Sequence, residues 1–316
     1  MTAKAGNQDP DQGQAPTIAE ENFRGALYMS LSMAGFVCND ATMKWISAEL
    51  SLFQIVFLRG LFTIVLIGAL AHWRGELFYR PDRRDTRVLA LRLFGEVGGT
   101  FCFLNALFNM PLANASAILQ SMPLAVTLGA ALFLGERVGW RRYTAIFVGF
   151  LGVMIIVRPG MEGFNAYALW AVVAVVFVTI RDLSTRSLSR GVPSMHVTLT
   201  TAVGVTVLSG LCLLLFGEWK PVQDTHFLFL GGAACLVIVG YLFGIMAMRH
   251  GEIGFVAPFR YTILVWAILL GFLVFGDIPD TWTIVGSSIV IGMGIYTFYR
   301  ERVRAAGKTV FLTRRQ

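Results

Sequence analysis

Apolar runs of about 20 residues recur from residue 24 to residue 299, and short polar stretches separate them. A helix of that length rises about 30 Å, the thickness of a bilayer's hydrocarbon core. The pattern predicts ten helical spans, at 24–47, 53–72, 88–109, 113–134, 143–158, 166–187, 195–216, 226–248, 254–275 and 281–299. Residues 1–22 are polar and lack the apolar core of a signal peptide, so they read as a disordered cytoplasmic tail. Residues 301–316 form a basic cytoplasmic tail.

Composition agrees with this pattern. The chain is 56% hydrophobic and 14% charged, with a mean hydropathy of +0.66. A soluble domain carries about 25% charged residues to cover its surface. The expected class is an all-α integral membrane protein. Cys38, Cys102, Cys212 and Cys235 all fall inside apolar runs and read as small packing residues. His72, His196, His226 and His250 are scattered, so no metal site is expected, and no cofactor either.

The net charge of +7 does not point to nucleic acid, because the basic residues sit in loops beside the spans. The two tails and the loops on one side hold 20 of the 26 Lys and Arg residues, with Arg24 and Arg181 counted among them. The opposite loops hold Lys44, Arg158 and Lys220. This bias puts both termini in the cytoplasm.

The chain also repeats itself. The segment 109–137 matches 250–278 at an offset of 141, with Ala106 on Ala247, Leu112 on Ile253, Gly135 on Gly276 and Glu136 on Asp277. Asp40 and Lys44 fall on Asp182 and Arg186 at an offset of 142. Two five-span units follow, 23–160 and 161–300. Five is odd, so the second unit enters the membrane from the opposite side. Inverted repeats of this kind mark carriers whose central site opens to each side in turn.

Ten spans, the five-plus-five duplication and the fourth span "ANASAILQSMPLAVTLGAALFLGER" resemble the EamA-type members of the drug/metabolite transporter superfamily. The fourth span has that family's small residues, mid-span proline (Pro123) and terminal Gly135-Glu136. The second copy departs, with Pro258 earlier in its span and Asp277 in place of Glu. The Asn-Asp pair of the first span is similar to subgroups that include riboflavin and S-adenosylmethionine carriers. The resemblance implies a central cavity ringed by the first, third, fourth, sixth, eighth and ninth spans, with the fifth and tenth peripheral.

Charges inside the spans are the gating candidates, because an ionised group facing lipid costs at least about 2.5–3.5 kcal/mol. Asp40 and Arg59 lie at similar depth on consecutive antiparallel spans. They are expected to pair as an outer gate, with Lys44 one turn above Asp40 and Asn39 hydrogen-bonding the group. Arg92 with Glu96 and Asp182 with Arg186 are four apart, and with Arg260 they are expected to form an inner cluster. Fixed ion pairs that only specify packing are the alternative.

Substrate candidates lie between the two clusters: Gln120, its repeat mate Tyr261, Arg260, Tyr241 and Asn105, with Phe101, Phe259 and Trp266 as stacking faces. No HExxH, GxSxG or Walker A motif is present, so neither an enzyme nor an ATP-driven pump is expected. The expected function is a secondary, alternating-access carrier in a bacterial inner membrane. It would move a small polar or amphipathic metabolite such as a riboflavin-like compound, an S-adenosylmethionine-like compound or an amino acid. The alternative is a channel or receptor-like subunit, and after it a membrane-embedded enzyme. The expected partners are that small molecule, the lipid bilayer and a coupling proton or ion; a homodimer is left open.

Overall fold

The structure, a computed structural model, describes residues 18–73, 75, 79–136, 138–161, 163–189, 191–249 and 252–313. The first 17 and last three residues of the expected tails lie outside the described residues, as do Arg74, Arg137, Arg190 and His250 of the loops. The helices are α1 (Ile18–Ile46), α2 (Leu52–Trp73), α3 (Arg83–Asn109), α4 (Leu112–Leu119), α5 (Met122–Phe133), α6 (Trp140–Val157), α7 (Tyr167–Ser187) and α8 (Ser194–Phe216). They continue with α9 (Asp224–Arg249), α10 (Ile253–Val256), a 3-10 turn (Ala257–Tyr261), α11 (Thr262–Phe275) and α12 (Thr281–Thr313).

Nine helical units among the described residues are long and apolar enough to cross a membrane. The tenth unit, α1, is 29 residues long but carries Asn39, Asp40 and Lys44, which keep it out of the apolar set. The amino-terminal expectation needs correcting at its edge. Residues 18–22 are helical, and Glu20 and Glu21 in the first turn of α1 suit the positive end of a helix dipole. At the other end α12 continues through the basic segment as far as Thr313.

The fourth and ninth spans are broken at matching places. α4 stops at Leu119, and α5 restarts at Met122 with Pro123 in its first turn. Proline has no N–H to give to the preceding turn, so the ladder cannot run through it. In the ninth span Pro258 stands six residues earlier than the repeat mate of Pro123, and the break becomes the 3-10 turn. Both spans end on a glycine with positive φ, Gly135 at 67° and Gly276 at 70°. That left-handed conformation costs a glycine nothing and closes a helix C-terminus. The glycine that ends the fourth span of each repeat thus has a structural cause.

Packing follows the duplication. α1 lies on α9 and α3 lies on α7, which are equivalent pairs when the repeats are exchanged, while α6 packs on α12 and α2 on α8. The match extends to single residues. A methyl at Gly99 would stand 2.9 Å from Val178, and one at Gly240 would stand 3.1 Å from Phe36. Gly99 maps onto Gly240 at an offset of 141, and Phe36 onto Val178 at 142. Small residues at these crossings let helices approach where no hydrophobic effect drives them together. Large apolar side chains such as Val65, Phe147 and Leu214 line the outside, as lipid contact requires.

Two faces can be distinguished: a terminal face, where α1 begins and α12 ends, and a distal face, where α1 ends. The main buried cluster sits towards the distal face. It includes Val37, Met43, Ile46, Ile55, Leu107, Leu112 and Ile118. Loops close over it, with Gln54 Nε2 donating to Lys220 O at 2.7 Å and His226 Nε2 2.8 Å from Glu49 Oε2.

On the same face Arg158, in a left-handed conformation after α6, pairs with Asp280. Asp280 also accepts from Thr283 N at 2.9 Å, capping α12. Burial pushes the Asp280 carboxyl up, but the hydrogen bonds from Thr283 and the Arg158 charge outweigh it and hold it below its ordinary value. A lowered carboxylate pKa stabilises the fold above the unfolded value of about 3.9, and the gain is lost as pH falls through the folded value. Asp280→Asn keeps the cap but loses the charge. It is expected to lower the melting temperature slightly at pH 7, in line with about 0–1 kcal/mol for an exposed pair. That deficit should start to shrink as the pH drops below about 4 and be gone below the folded value. A deficit that is constant with pH would assign the effect to the cap.

Candidate functional site

A cavity of about 670 Å³ lies between the two repeats. Its walls come from α1 (Met29, Ser32, Met33, Phe36, Asp40), α3 (Phe103), the α4/α5 break (Leu119, Gln120, Met122) and α7 (Val178, Arg181). The rest come from α9 (Gly240, Tyr241, Gly244, Ile245, Met248, Arg249), the 3-10 turn (Arg260) and α11 (Ile263). These are the first, third, fourth, sixth, eighth and ninth spans, and α6 and α12 stay outside. The cavity runs from Asp40, near the middle of the bundle, to Met248 and Arg249 at the terminal end of α9. The main buried cluster lies on the distal side of it. α1 also touches α3 on the distal side, where Lys44 bonds the end of α3, while their repeat counterparts α7 and α9 touch less.

Both helix breaks face the cavity. Gln120 sits between α4 and α5, Arg260 sits in the 3-10 turn, and Gln120 Nε2 donates to Arg260 O at 3.4 Å. Unwound backbone at membrane depth persists where it lines a cavity. Arg260 has no carboxylate at ion-pair distance among the described residues, so its guanidinium is available to a ligand anion. Arg260 is expected both in the inner cluster and among the substrate residues; the 3-10 turn places it on the cavity wall. Tyr241 joins it on the wall, edge-on to Phe36 with centroids 5.3 Å apart.

Asp40 and Arg59 are linked through Asn39. Arg59 Nη1 donates to Asn39 Oδ1 at 3.2 Å, and Asn39 Nδ2 donates to Asp40 Oδ1 at 2.9 Å. The Asp40 carboxylate lies in the field of Arg59, which in turn feels Tyr241 and Glu96 across the cavity. Lys44 does not join them. Its Nζ donates to Leu107 O at 3.1 Å and to Met110 O, at the C-terminal end of α3. Helix C-terminal carbonyls lack intrahelical donors and carry partial negative charge, so they compete well for an ammonium.

The inner cluster is built around Arg181. Arg181 Nη1 lies 3.6 Å from Glu96 and its Nε 2.8 Å from Asp182, while Arg92 reaches Glu96 at 3.8 Å and also Thr185 and Thr201. The expected Asp182–Arg186 pair does not form, because Arg186 turns to Glu136 at 3.3 Å. Arg181 is the main residue that the sequence reading missed, having been counted with the loop charges. The available signal was its repeat position, since 181 falls on Asn39 at the offset of 142.

Several expected ligand contacts point elsewhere. Asn105 accepts from Asn109 Nδ2, one turn further along the distal half of α3. Phe101 packs on Phe53 at 5.4 Å, and Phe259 on Phe255 at 5.6 Å. Trp266 donates from Nε1 to Ser30 O at 3.1 Å and so fixes α11 to α1. Tyr261 is 5% exposed, and its hydroxyl lies over Gly294 of α12. The turn that brings Arg260 into the cavity rotates its neighbour out. The Tyr261 hydroxyl is buried without a hydrogen-bond partner among the described residues. Such a group costs about 1–3 kcal/mol. Tyr261→Phe is therefore expected to raise the melting temperature and leave ligand binding unchanged; weakened binding would return Tyr261 to the cavity.

The two repeats are also recognised by comparison with known proteins. Residues 23–158 and 165–299 each match the EamA-like transporter family, and the two matches begin 142 residues apart. The chain belongs to the EamA-like transporter family. It is a multi-pass membrane transporter of ten helical spans in two inverted repeats. It is similar to the S-adenosylmethionine uptake transporter of Rickettsia bellii, 24% identical over 280 residues, covering 88% of this chain and 94% of that one. The riboflavin transporter of Rhizobium johnstonii is 29% identical over 287 residues, 89% of this chain and 92% of that one. The pseudopaline exporter CntI of Pseudomonas aeruginosa is 28% identical over 276 residues, 84% and 93% of the two chains. A solved crystal structure with 19% identity superposes with a TM-score of 0.61 over 90% of this chain and 99% of its own, which shows the shared fold.

Proposed function

We propose that this EamA-family protein is a secondary, alternating-access carrier of a small amphipathic metabolite that bears both an anionic and a cationic or hydrogen-bonding group. The observation that carries this reading is the cavity itself. It runs from Asp40 to Met248 and Arg249 at the terminal end of α9, with the main buried core on the distal side, and is set at the junction of two inverted repeats. Its volume of about 670 Å³ suits a metabolite of vitamin or nucleoside size. Phe36, Phe103 and the methionines Met29, Met33 and Met248 offer an adaptable apolar wall. Arg260 is placed to take a carboxylate or phosphate, and Asp40 a cation or a proton. The names of the relatives, which include S-adenosylmethionine, riboflavin and pseudopaline transporters, support a substrate of that size and mixed polarity.

In this reading the terminal face is cytoplasmic, the membrane is a bacterial inner membrane, and the structure is in its inward-open state. The substrate passes unchanged, driven by its own gradient or by a coupled proton or ion. The test is counterflow in proteoliposomes across a panel of such metabolites, preselected by thermal stabilisation of the purified protein. A carrier shows saturable counterflow, and Arg260→Gln should weaken apparent affinity for the anionic substrate at least about tenfold, as loss of a charge-assisted hydrogen bond implies. Flux that is linear in concentration and indifferent to Arg260 would favour a channel.

A further inference from the structure

The inverted repeat places one cationic residue in the same position at each gate, and the structure shows it in two different places. Lys44, near the distal end of α1, maps onto Arg186, near the terminal end of α7, at an offset of 142. Each has two possible partners on facing helices. The first is a carboxylate just past the αL glycine: Asp277 for Lys44 and, 141 residues earlier, Glu136 for Arg186. The second is the C-terminal turn of the helix across the gate: Leu107 and Met110 of α3 for Lys44 and, by the same offset, Met248 of α9 for Arg186.

On the distal side Lys44 has taken the carbonyls. It binds Leu107 O and Met110 O and lies over the Phe275 ring at 5.2 Å, and Asp277 is near enough to be felt but not paired. There α1 and α3 are in contact. On the terminal side Arg186 has taken the carboxylate, with Nη1 3.3 Å from Glu136. There α7 and α9 touch less than α1 and α3 do, and Met248 lines the cavity. One position therefore goes with a shut gate and the other with an open one.

We propose that Lys44 and Arg186 are paired gate latches. Each moves between the carboxylate that follows the ninth or fourth span when its gate is open and the C-terminal carbonyls of the facing helix when its gate is shut. A cation on those carbonyls neutralises the negative end of the helix dipole. A cation on the carboxylate keeps its ion pair. Neither position strands a bare charge, so the two states stay close in energy, as an alternating carrier requires. In the outward-open state Arg186 leaves Glu136 and caps the terminal turn of α9 at Met248. This rests on the alternating-access reading above, to which it adds the residues that hold each gate.

The test uses full-length protein in detergent, where both faces are reachable, with the four native cysteines replaced. A single cysteine at Asn105 reports opening of the distal side, and one at Ile245 reports opening of the terminal side, each by its rate of reaction with a maleimide. Lys44→Ala should raise the rate at position 105 several-fold and lower it at 245. Arg186→Ala should do the reverse, because the pair that it loses with Glu136 is half-exposed and worth little while the carbonyl position is the one that holds the gate shut, and Glu136→Gln, which removes the open-gate partner, should act weakly in the direction of Lys44→Ala. Lys44→Arg and Arg186→Lys should restore wild-type rates, which separates latching from loss of fold. Shifts in the same direction for Lys44→Ala and Arg186→Ala, or none in a protein whose position 105 does react, would overturn the latches alone. A cysteine at 105 that never reacts in any variant, while 245 always does, would overturn alternating access itself and the latches with it.

Discussion

Gly95→Leu is expected to abolish transport and to prevent the protein from reaching its folded state in useful yield. Gly95 lies where α3 crosses α7, and a methyl carbon there would stand 2.7 Å from both Phe177 O and Arg181 N. Both are backbone atoms, so no rotamer change relieves the contact and the helices must separate. One added methyl in a tight contact costs about 1–3 kcal/mol, which sets the expectation for Gly95→Ala, and leucine adds three more carbons. The separation also acts on function. Glu96 is the next residue, and its pair with Arg181 at 3.6 Å crosses the same gap. Widening the gap leaves those charges without compensation beside the cavity. The repeat supplies a milder companion: a methyl at Gly35, on α1, would stand 3.1 Å from Leu236 O. Gly68→Leu is the control, since nothing lies within 4 Å of that position. Thermal melting and counterflow should rank the variants as Gly68→Leu near wild type, then Gly35→Ala, Gly95→Ala and Gly95→Leu. A Gly95→Leu protein that melts and transports like Gly68→Leu would show that the crossing is not needed.

The sequence reveals the spans because the bilayer sets a length that soluble folds do not impose. All ten expected spans correspond to helical units, and the duplication that implied inversion reappears in the packing of α1 on α9 and α3 on α7. The spans expected to ring the cavity do so. What the sequence leaves open is the rotation of each helix about its axis. In a soluble helix an apolar stripe marks the buried face, but here lipid and core are both apolar. Tyr261 and Trp266 were therefore read as cavity residues when they face α12 and α1. Charge partners are lost for a second reason. Spacing of four residues puts Asp40 and Lys44 on one face and likewise Asp182 and Arg186, but it cannot say what stands opposite. The carbonyls at the end of α3 took Lys44, and Glu136 took Arg186. Arg181 was hidden because a basic residue near a helix end looks like an interfacial charge until its depth against Glu96 is known.

Arg59→Met is expected to remove most transport and to destabilise the part-buried group around Asp40 by up to about 3–5 kcal/mol, the cost of stripping one partner from a fully buried ionic group. Arg59 reaches Asp40 only by way of Asn39, which is 5% exposed and spends its amide oxygen on Arg59 and its amide nitrogen on Asp40. That relay has one physical consequence that a direct ion pair would lack. Asn39→Ala should act in the same direction as Arg59→Met although it removes no charge, because it leaves both charges in place without their shared hydrogen bonds. Asp40→Asn in the Arg59→Met background removes the stranded carboxylate and should recover part of the lost stability. It should recover less of the transport, since Asp40 also lines the cavity. Melting temperatures and counterflow rates for the two single variants and the double variant form a cycle with a coupling of at least about 1 kcal/mol, the scale for groups sharing one network. Strict additivity of the two changes would mean that Asp40 and Arg59 do not act together. Asp40 would then serve the cavity alone, and Arg59 would only hold α2 in place.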